Sequence, residues 1–364
     1  MVYHALGLMS GSSLDGLDIL YAQFHEQGGQ WSYTLEKAAC YPYAAEWEQR
    51  LRSARTLSAA DYCQLHVDYG HFLGQQVNRF IEENQLQYKV GLVGSHGHTV
   101  FHSPQTGLTT QLGEGAALAA VTKLPVVTDL RTMDLAFGGQ GAPLVPMGER
   151  ALLSEYSLLL NLGGIANVTS SGDKYVAYDI CPANRVLNLL ANQLGHAFDE
   201  GGKLAAKGKV IASLLIALEA HPYYKQPFPK SLANEMGTDE HFALLMNSGQ
   251  PVEDLIATYT IHMANQIAIN VQQLAKRNNL LQQKMLVTGG GAFNDYLITL
   301  LREKLQSTGV EIVVPDSALV QFKEALIMAF LAVLRWRQEY TTIPSVTGAS
   351  RASIGGALWN GQEA

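Results

Sequence analysis

Twice in this chain an apolar run breaks into a turn of very small or amide-bearing residues and resumes as a second extended run. The first is "LGLMSGSSLDGLDIL" at 6–20, the second "SLLLNLGGIANVTS" at 157–170. Apolar runs bounded by glycine and serine read as buried strands joined by a tight hairpin. Two such openings, about 150 residues apart, imply duplicated lobes with a cleft between them. A length of 364 residues leads to the same expectation of two domains.

Other stretches fill in the pattern. Strands are expected at 2–9, 17–24, 90–96, 125–130 and 175–180, and a further strand at 284–294 ends in three glycines. Helical periodicity marks 58–84, 113–124, 184–196, 206–219 and 254–277, and another helix closes near 339. Residues 341–364 read as a short return segment. Strands alternating with helices give an α/β architecture.

Composition narrows the function. A net charge of −7 argues against nucleic acid as the main partner, because phosphate backbones are bound by basic surfaces. Small anions remain possible ligands, since backbone N–H groups bind them inside acidic proteins. The longest apolar stretch, 325–334, is about half of a membrane span. Three scattered cysteines suggest neither a disulfide framework nor a thiolate metal cluster. A soluble chain of the reducing cytoplasm is expected, with neither membrane nor nucleic acid as partner.

Five stretches could carry chemistry. In the first hairpin, Gly11, Ser12 and Ser13 expose N–H and hydroxyl donors without bulk, which suits a phosphate. Asp15 and Asp18 follow and could hold Mg²⁺ through water. A plain β-turn with solvated aspartates is the competing reading. "LVTGGGAFND" (286–295) lets a planar ligand approach the backbone at Gly289, Gly290 and Gly291, or is simply a strand-to-helix loop. "VAYDICPANRVLN" (176–188) delivers Asp179 to a strand end as a candidate general base, with Asn184 opening the next helix; a turn or capping carboxylate is the alternative. "GSHGHTVFH" (94–102) places His96, His98 and His102 close together, but no carboxylate or cysteine completes a zinc shell. Hydrogen bonding to a polar ligand is preferred there. In "TDLRTMDLAFGGQGAPLVP" (128–146), Arg131 could grip a carboxylate with two N–H groups and Gln140 offers an amide, while Asp134 could instead form a structural ion pair with Arg131.

Together with "QLGEGAALA", "FDEGGKLAAKGKV", "HPYYKQPFPKS", "FKEALIMAFLA" and "VTGAS", and in this order, these stretches resemble the anhydro-N-acetylmuramic acid kinases along nearly the whole chain. The resemblance implies a two-lobed actin-like ATPase fold, a duplicated ribonuclease H-like unit. Its lobes would be 1–131 with 341–364, carrying the phosphate hairpin, and 132–340, carrying the base and the glycine loop. It implies ATP and Mg²⁺. The phosphates would lie over Gly11, Ser12, Ser13, Leu14, Asp15, Gly16, Leu17 and Asp18 and against Asn161, Gly163 and Gly164, with the base near Gly289–Gly291. Asp179 matches the family's catalytic base and Glu324 a glutamate facing the active site. His96, His98, Arg131, Asp134, Gln140 and Asn184 would meet the sugar, Arg131 through its lactyl carboxylate. A homodimer is compatible with it.

The chain departs from that family where D-T-G-P-G-N is usual and "DICPAN" (179–184) stands instead, and where P-K-S-T-G-R-E is replaced by "PKSLANE" (229–235). His98 also stands where glutamine is commoner. A lost hydroxyl and new Cβ atoms at Ile180, Cys181 and Ala183 would crowd a phosphate. A kinase of a different amino sugar, a homologue with weakened catalysis, and a nucleotide-driven binding module therefore stand beside the main reading.

Overall fold

The computed structural model describes residues 1–11, 14–172, 175–228, 230–232, 236–278 and 283–362. Its strands are β1 (Val2–Ser10), β2 (Gly16–Gln27), β3 (Gln30–Pro42), β4 (Leu92–Ser95), β5 (His98–Ser103), β6 (Leu108–Leu112) and β7 (Pro125–Thr128), then β8 (Leu158–Leu162), β9 (Ile165–Ser170), β10 (Val176–Pro182), β11 (Gln283–Thr288), β12 (Val310–Val313) and β13 (Ala357–Asn360). The chain forms two compact units, Met1–Leu153 with Phe322–Ala364, and Ser154–Gln321.

In the first unit the strand order is β13-β7-β4-β1-β2-β3. The β1–β2–β3 stretch is an antiparallel meander, and β4 and β7 add in parallel on the other side of β1. The second unit repeats the scheme as β10-β9-β8-β11-β12. There β8, β9 and β10 are antiparallel, and β11 and β12 join in parallel. In each sheet the first strand thus forms an antiparallel meander with the next two on one side and pairs in parallel on the other, which is the duplicated ribonuclease H-like scheme.

Parallel strands need crossover helices, and the long apolar-faced ones supply the cover. In the first unit Leu65, Tyr69, Leu73, Val77 and Phe80 of the Ala59–Glu83 helix, capped by Ser58, pack on Leu6, Leu8, Ile19 and Val93. In the second unit the Val252–Asn278 helix packs Tyr259, Met263, Ile267 and Val271 against Leu160, Val168 and Val287.

The Ser317–Trp336 helix has the length and apolarity of a membrane span, yet 72% of its most apolar window is buried. It is a core helix. Its later turns lie flush on the first sheet: a Cβ added to Gly7 would stand 1.8 Å from the Ala325 carbonyl oxygen, and one on Gly94 2.3 Å from that of Met328. Only hydrogen fits at either point.

The unit limits differ from those read in the sequence, near 131 and 340. Residues 132–153 belong with the first unit because Asp134 bonds Thr347 and Gly148 packs on Ile327. The turns after Gln321 belong there because their backbone lies against Gly7 and Gly94. The return segment joins the same unit, where β13 pairs antiparallel with β7.

Candidate functional site

In the first unit the carboxyl ends of β1, β4 and β7 share one edge of the sheet, where ligands of open α/β sheets bind. Ser10 ends β1 and is buried. Its Oγ accepts from the Tyr43 hydroxyl (2.8 Å) and lies 3.2 Å from His98 Nδ1, while Tyr43 meets Tyr69 at 2.6 Å. With Tyr43 donating to Ser10, the Ser10 hydrogen can go to His98 Nδ1, the arrangement in which Nε2 carries the ring proton. Burial lowers the His98 pKa to about 4, so the ring is neutral.

After Gly11, Ser12 and Ser13 lie outside the described residues. Leu14 adopts a left-handed backbone with φ 58°, and its N–H reaches the Gly11 carbonyl at 3.4 Å. Leu14 and Leu17 bury their side chains in the core, so only their backbone can face a ligand. Gly16 opens β2. Asp15 is exposed, whereas Asp18 is half-buried opposite Cys40 of β3. Burial, followed by the charges of Asp15 and Glu324, raises the Asp18 pKa to about 6 against the Cys40 thiol's hydrogen bond. The same pairing and burial push the Cys40 thiol to about 12. The negative charges of Asp15 and Glu324 thus both bear on Asp18. Among the described residues no three acidic, histidine or cysteine side chains stand close enough to ligate a metal directly.

Beyond β4, His96 donates from Nδ1 to the Gly97 carbonyl (2.8 Å). Its Nε2 therefore carries a lone pair and accepts from Arg131 Nε at 3.0 Å and Nη2 at 2.8 Å. Burial and the guanidinium hold the His96 pKa near 3. Arg131 also donates from Nη1 to the Gly141 carbonyl (2.7 Å), and burial lowers its pKa to about 10. His96 is therefore the seat of Arg131, with both ring nitrogens committed. Asp134 is fully buried. Its Oδ2 accepts from Gly141 N–H (2.8 Å) and its Oδ1 from the Thr347 hydroxyl (2.8 Å). It folds the glycine loop; it neither pairs with Arg131 nor is open to a sugar. Gln140 is exposed on that loop, its N–H bonded to the Thr347 carbonyl. Glu324 is half-buried, and burial raises its pKa against the nearby charges of Lys323 and Arg131. Lys323 and Glu149, both buried, pair at 2.6 Å beside it.

In the second unit one row of Cα partners crosses four strands: Thr288, Asn161, Asn167 and Asp179. Partners in register carry side chains on one face. The opposite face holds Leu160, Leu162, Val168, Ile180 and Val287 in the core. The buried Thr288 hydroxyl has no partner among the described residues. Gly289 takes φ 80° and lies so close to the β8 end that a Cβ would stand 2.5 Å from Asn161 Oδ1. Asn184 donates from Nδ2 to the Leu162 carbonyl (2.8 Å) and sits against Gly291. The Gly163 and Gly164 carbonyls accept the N–H groups of Asn184 and Ala183. Asn184 therefore ties the two glycine turns together, and its donor is committed to the backbone.

Asp179 sits at a bulge where the β9–β10 register shifts. Its Oδ2 accepts from the Ser231 hydroxyl (3.0 Å) and Leu232 N–H (2.8 Å), and its carbonyl accepts from the Tyr223 hydroxyl (2.6 Å). Among the described residues Oδ1 has no partner. Burial raises the Asp179 pKa although both bonds to Oδ2 oppose it. A carboxylate fixed by one oxygen, with the other free and its proton affinity raised, has the properties of a general base.

The departures of "DICPAN" fall elsewhere. Ile180, Cys181 and Ala183 are each 0% exposed within the core of this unit. The bulge turns consecutive residues inward, so the replaced groups fill the interior rather than crowd a phosphate. In "PKSLANE", Pro229, Ala233, Asn234 and Glu235 lie outside the described residues. Ser231 and Leu232 are the holders of Asp179, a role that sequence reasoning missed although it had marked the motif.

The family model for anhydro-N-acetylmuramic acid kinase matches residues 3–361. An anhydro-N-acetylmuramic acid kinase from Acinetobacter baylyi is 32% identical, covering 97% of this chain and 98% of that protein. One from Bacillus cereus is 30% identical, covering 96% and 97%. Among solved structures, the ADPNP-bound activator of 2-hydroxyisocaproyl-CoA dehydratase from Clostridium difficile is similar at a TM-score of 0.45 and 14% identity, covering 92% of this chain and 96% of that one. The ROK hexokinase from Thermus thermophilus is similar at 0.39 and 17%, covering 92% and 100%. The match over almost every residue, with relatives of equal length, decides the assignment: the chain belongs to the anhydro-N-acetylmuramic acid kinase family.

Proposed function

We propose that this chain transfers the γ-phosphoryl group of ATP to 1,6-anhydro-N-acetylmuramic acid while opening the anhydro ring with water. Asp179 takes a proton from water, whose oxygen attacks C1. The C1–O6 bond breaks, and the freed O6 attacks the γ-phosphorus, giving N-acetylmuramic acid 6-phosphate and ADP. The observation that carries this reading is the Asp179 carboxylate, gripped at Oδ2 by Ser231 and Leu232 and open at Oδ1.

The other residues take supporting parts. The Gly11–Asp18 hairpin and the Asn161–Gly164 turn offer backbone donors to the phosphates. Gly289–Gly291 leave room for the nucleoside. Mg²⁺, held through water by Asp15 and Asp18, would offset phosphate charge. Arg131, oriented by His96, binds the lactyl carboxylate with the forked geometry such groups favour. His98 offers Nε2–H, and Glu324 lies beside Arg131 as a second carboxylate of the site. We place the reaction in the cytoplasmic recovery of cell-wall fragments, where free thiols at Cys40, Cys63 and Cys181 are at home.

The test is ADP release with MgATP and the anhydro sugar in ¹⁸O-labelled water. One labelled oxygen at C1 of the product is expected. Asp179→Asn should lower the rate by about 10²–10⁴-fold with unchanged melting. A wild-type protein that binds ATP without turnover, or a variant retaining more than about a tenth of the rate, refutes the reading.

A further inference from the structure

A cavity of about 320 Å³ opens in the first unit beside His96. Its walls are the first turns of the Ala59–Glu83 helix, strand β6, the start of the Gly115–Thr122 helix and the ends of β7 and β13. No lysine or arginine lines it among the described residues, whereas Glu114 and Asp129 do. An anionic occupant is therefore disfavoured, and a triphosphate does not belong there.

Three polar side chains in the wall are held by the protein, His66 and Ser95 by one bond each and Gln111 by two, and each keeps one hydrogen-bonding position open. His66 Nδ1 accepts from Gly113 N–H at 3.1 Å, which puts the proton of the neutral ring on Nε2. Ser95, 1% exposed, accepts from Gly97 N–H at 3.3 Å, and its own hydrogen has no acceptor among the described residues. Gln111 commits its NH₂ group to Thr109 (2.8 Å) and Thr99 (3.3 Å), leaving Oε1 to accept. The remaining lining residues include Tyr62, Trp359 and Ala357. Trp359 is itself anchored by its Nε1–H on Thr128 at 3.1 Å.

With two donors and one acceptor in the wall, its complement is a group with an oxygen that can accept from either or both, one donor, an apolar end and no charge. A secondary amide bearing a short alkyl chain has that set; a hydroxyl lacks the apolar end, and a carboxylate is repelled. The cavity also adjoins the carboxylate grip, because His96 lines it and holds Arg131 through Nε2. In a muramic acid the lactyl ether at C3 and the acylamino group at C2 occupy neighbouring carbons. His96 is thus common to the cavity wall and to the seat of Arg131, as the acylamino group and the lactyl ether are neighbours on the sugar.

We propose that the cavity is the N-acyl subsite for the acceptor sugar, with His66, Ser95 and Gln111 as its specificity-determining residues. The identity of the ligand rests on the kinase reading above. The amide oxygen accepts from His66 Nε2–H or the Ser95 hydroxyl, the amide N–H donates to Gln111 Oε1, and the alkyl end lies against Tyr62 and Ala357. A cavity at the lower end of the usual small-molecule range still holds far more than an acetyl methyl. N-propionyl and N-glycolyl sugars are therefore substrates as well.

The experiment measures kcat/KM of the full chain with MgATP for three 1,6-anhydro acceptors: N-acetyl, N-propionyl, and a 2-hydroxy analogue that keeps the lactyl group. The propionyl sugar should fall within about tenfold of the acetyl one, and the hydroxy analogue at least about 10²-fold below it. Ala357→Leu, on an edge strand and checked by melting temperature, fills the cavity. It should lower kcat/KM for the propionyl sugar by at least about tenfold while changing the hydroxy analogue less than about twofold. A wild type that treats all three alike, or a variant that lowers all three by one factor, overturns the proposal. If no acceptor turns over, the kinase reading fails separately, and saturation-transfer NMR then decides on the subsite. Transfer to the acyl methyl that disappears in Ala357→Leu supports it, and no transfer to that methyl in the wild type overturns it.

Discussion

Replacing Asp18 with asparagine should make this protein more stable and less active. The carboxylate is half-buried, and burial, helped by the charges of Asp15 and Glu324, raises its pKa from 3.8 to about 6. A folded-state pKa above the unfolded one means that the native state binds the proton more tightly. The stabilisation from that proton is complete below pH 3.8 and is lost as pH rises to about 6. At pH 7.5 the ionised side chain then costs the fold about 3 kcal/mol at most. Asparagine keeps an acceptor for the Cys40 thiol and removes the charge. The gain should be about 2–3 kcal/mol at pH 7.5, or roughly 5–10 °C in unfolding temperature for a unit of this size, and close to nothing near pH 4. Differential scanning calorimetry of wild type and variant at pH 4.0 and 7.5, in nucleotide-free buffer, reads this directly. A gain of the same size at both pH values, or none at 7.5, refutes the claim that uncompensated charge is stored at the hairpin. The stored charge has a use if it is the cation's attachment point, so turnover of Asp18→Asn should fall while its melting temperature rises.

Three further outcomes are expected. Asp134→Ala leaves the Gly141 N–H and the Thr347 hydroxyl without their acceptor in a fully buried place, and should cost about 2–4 kcal/mol in urea unfolding. Ile180→Thr, which restores the hydroxyl usual in the family, should cost about 1–3 kcal/mol and leave kcat within about twofold, because the side chain lies in the core. His96 is buried neutral with a pKa near 3, so its contribution to stability is complete above pH 6.5 and is lost as pH falls towards 3. His96→Gln should flatten that acid-side decline in denaturation curves and raise KM for the sugar by loosening Arg131.

The paired hairpins were legible because apolar runs interrupted by small residues have few other uses, and both came out as β1–β2 and β8–β9. Strand β3 was not read. Its alternating exposed residues lie at the outer edge of the sheet, where no continuous apolar run is required. The unit limits were also hidden, since the allegiance of residues 132–153 rests on partners such as Thr347, distant in sequence. For the candidate site, residue types singled out Asp179, Arg131 and the glycine turns as expectations. They did not show which polar groups bind the protein itself: Asp134, His96 and Asn184 are framework, and Ser231 is a holder. That distinction needs hydrogen-bond partners, which sequence spacing does not contain.

Two absent methyl groups set the position of Glu324. Gly7 and Gly94 let the backbone at Ala325 and Met328, one and four residues beyond the carboxylate, rest directly on the sheet. An alanine at Gly7 would lever the helix away like a shim under a rail, and Glu324 would ride out with it. The height of a charged group over the sheet is thus governed from the interior, by two residues without side chains.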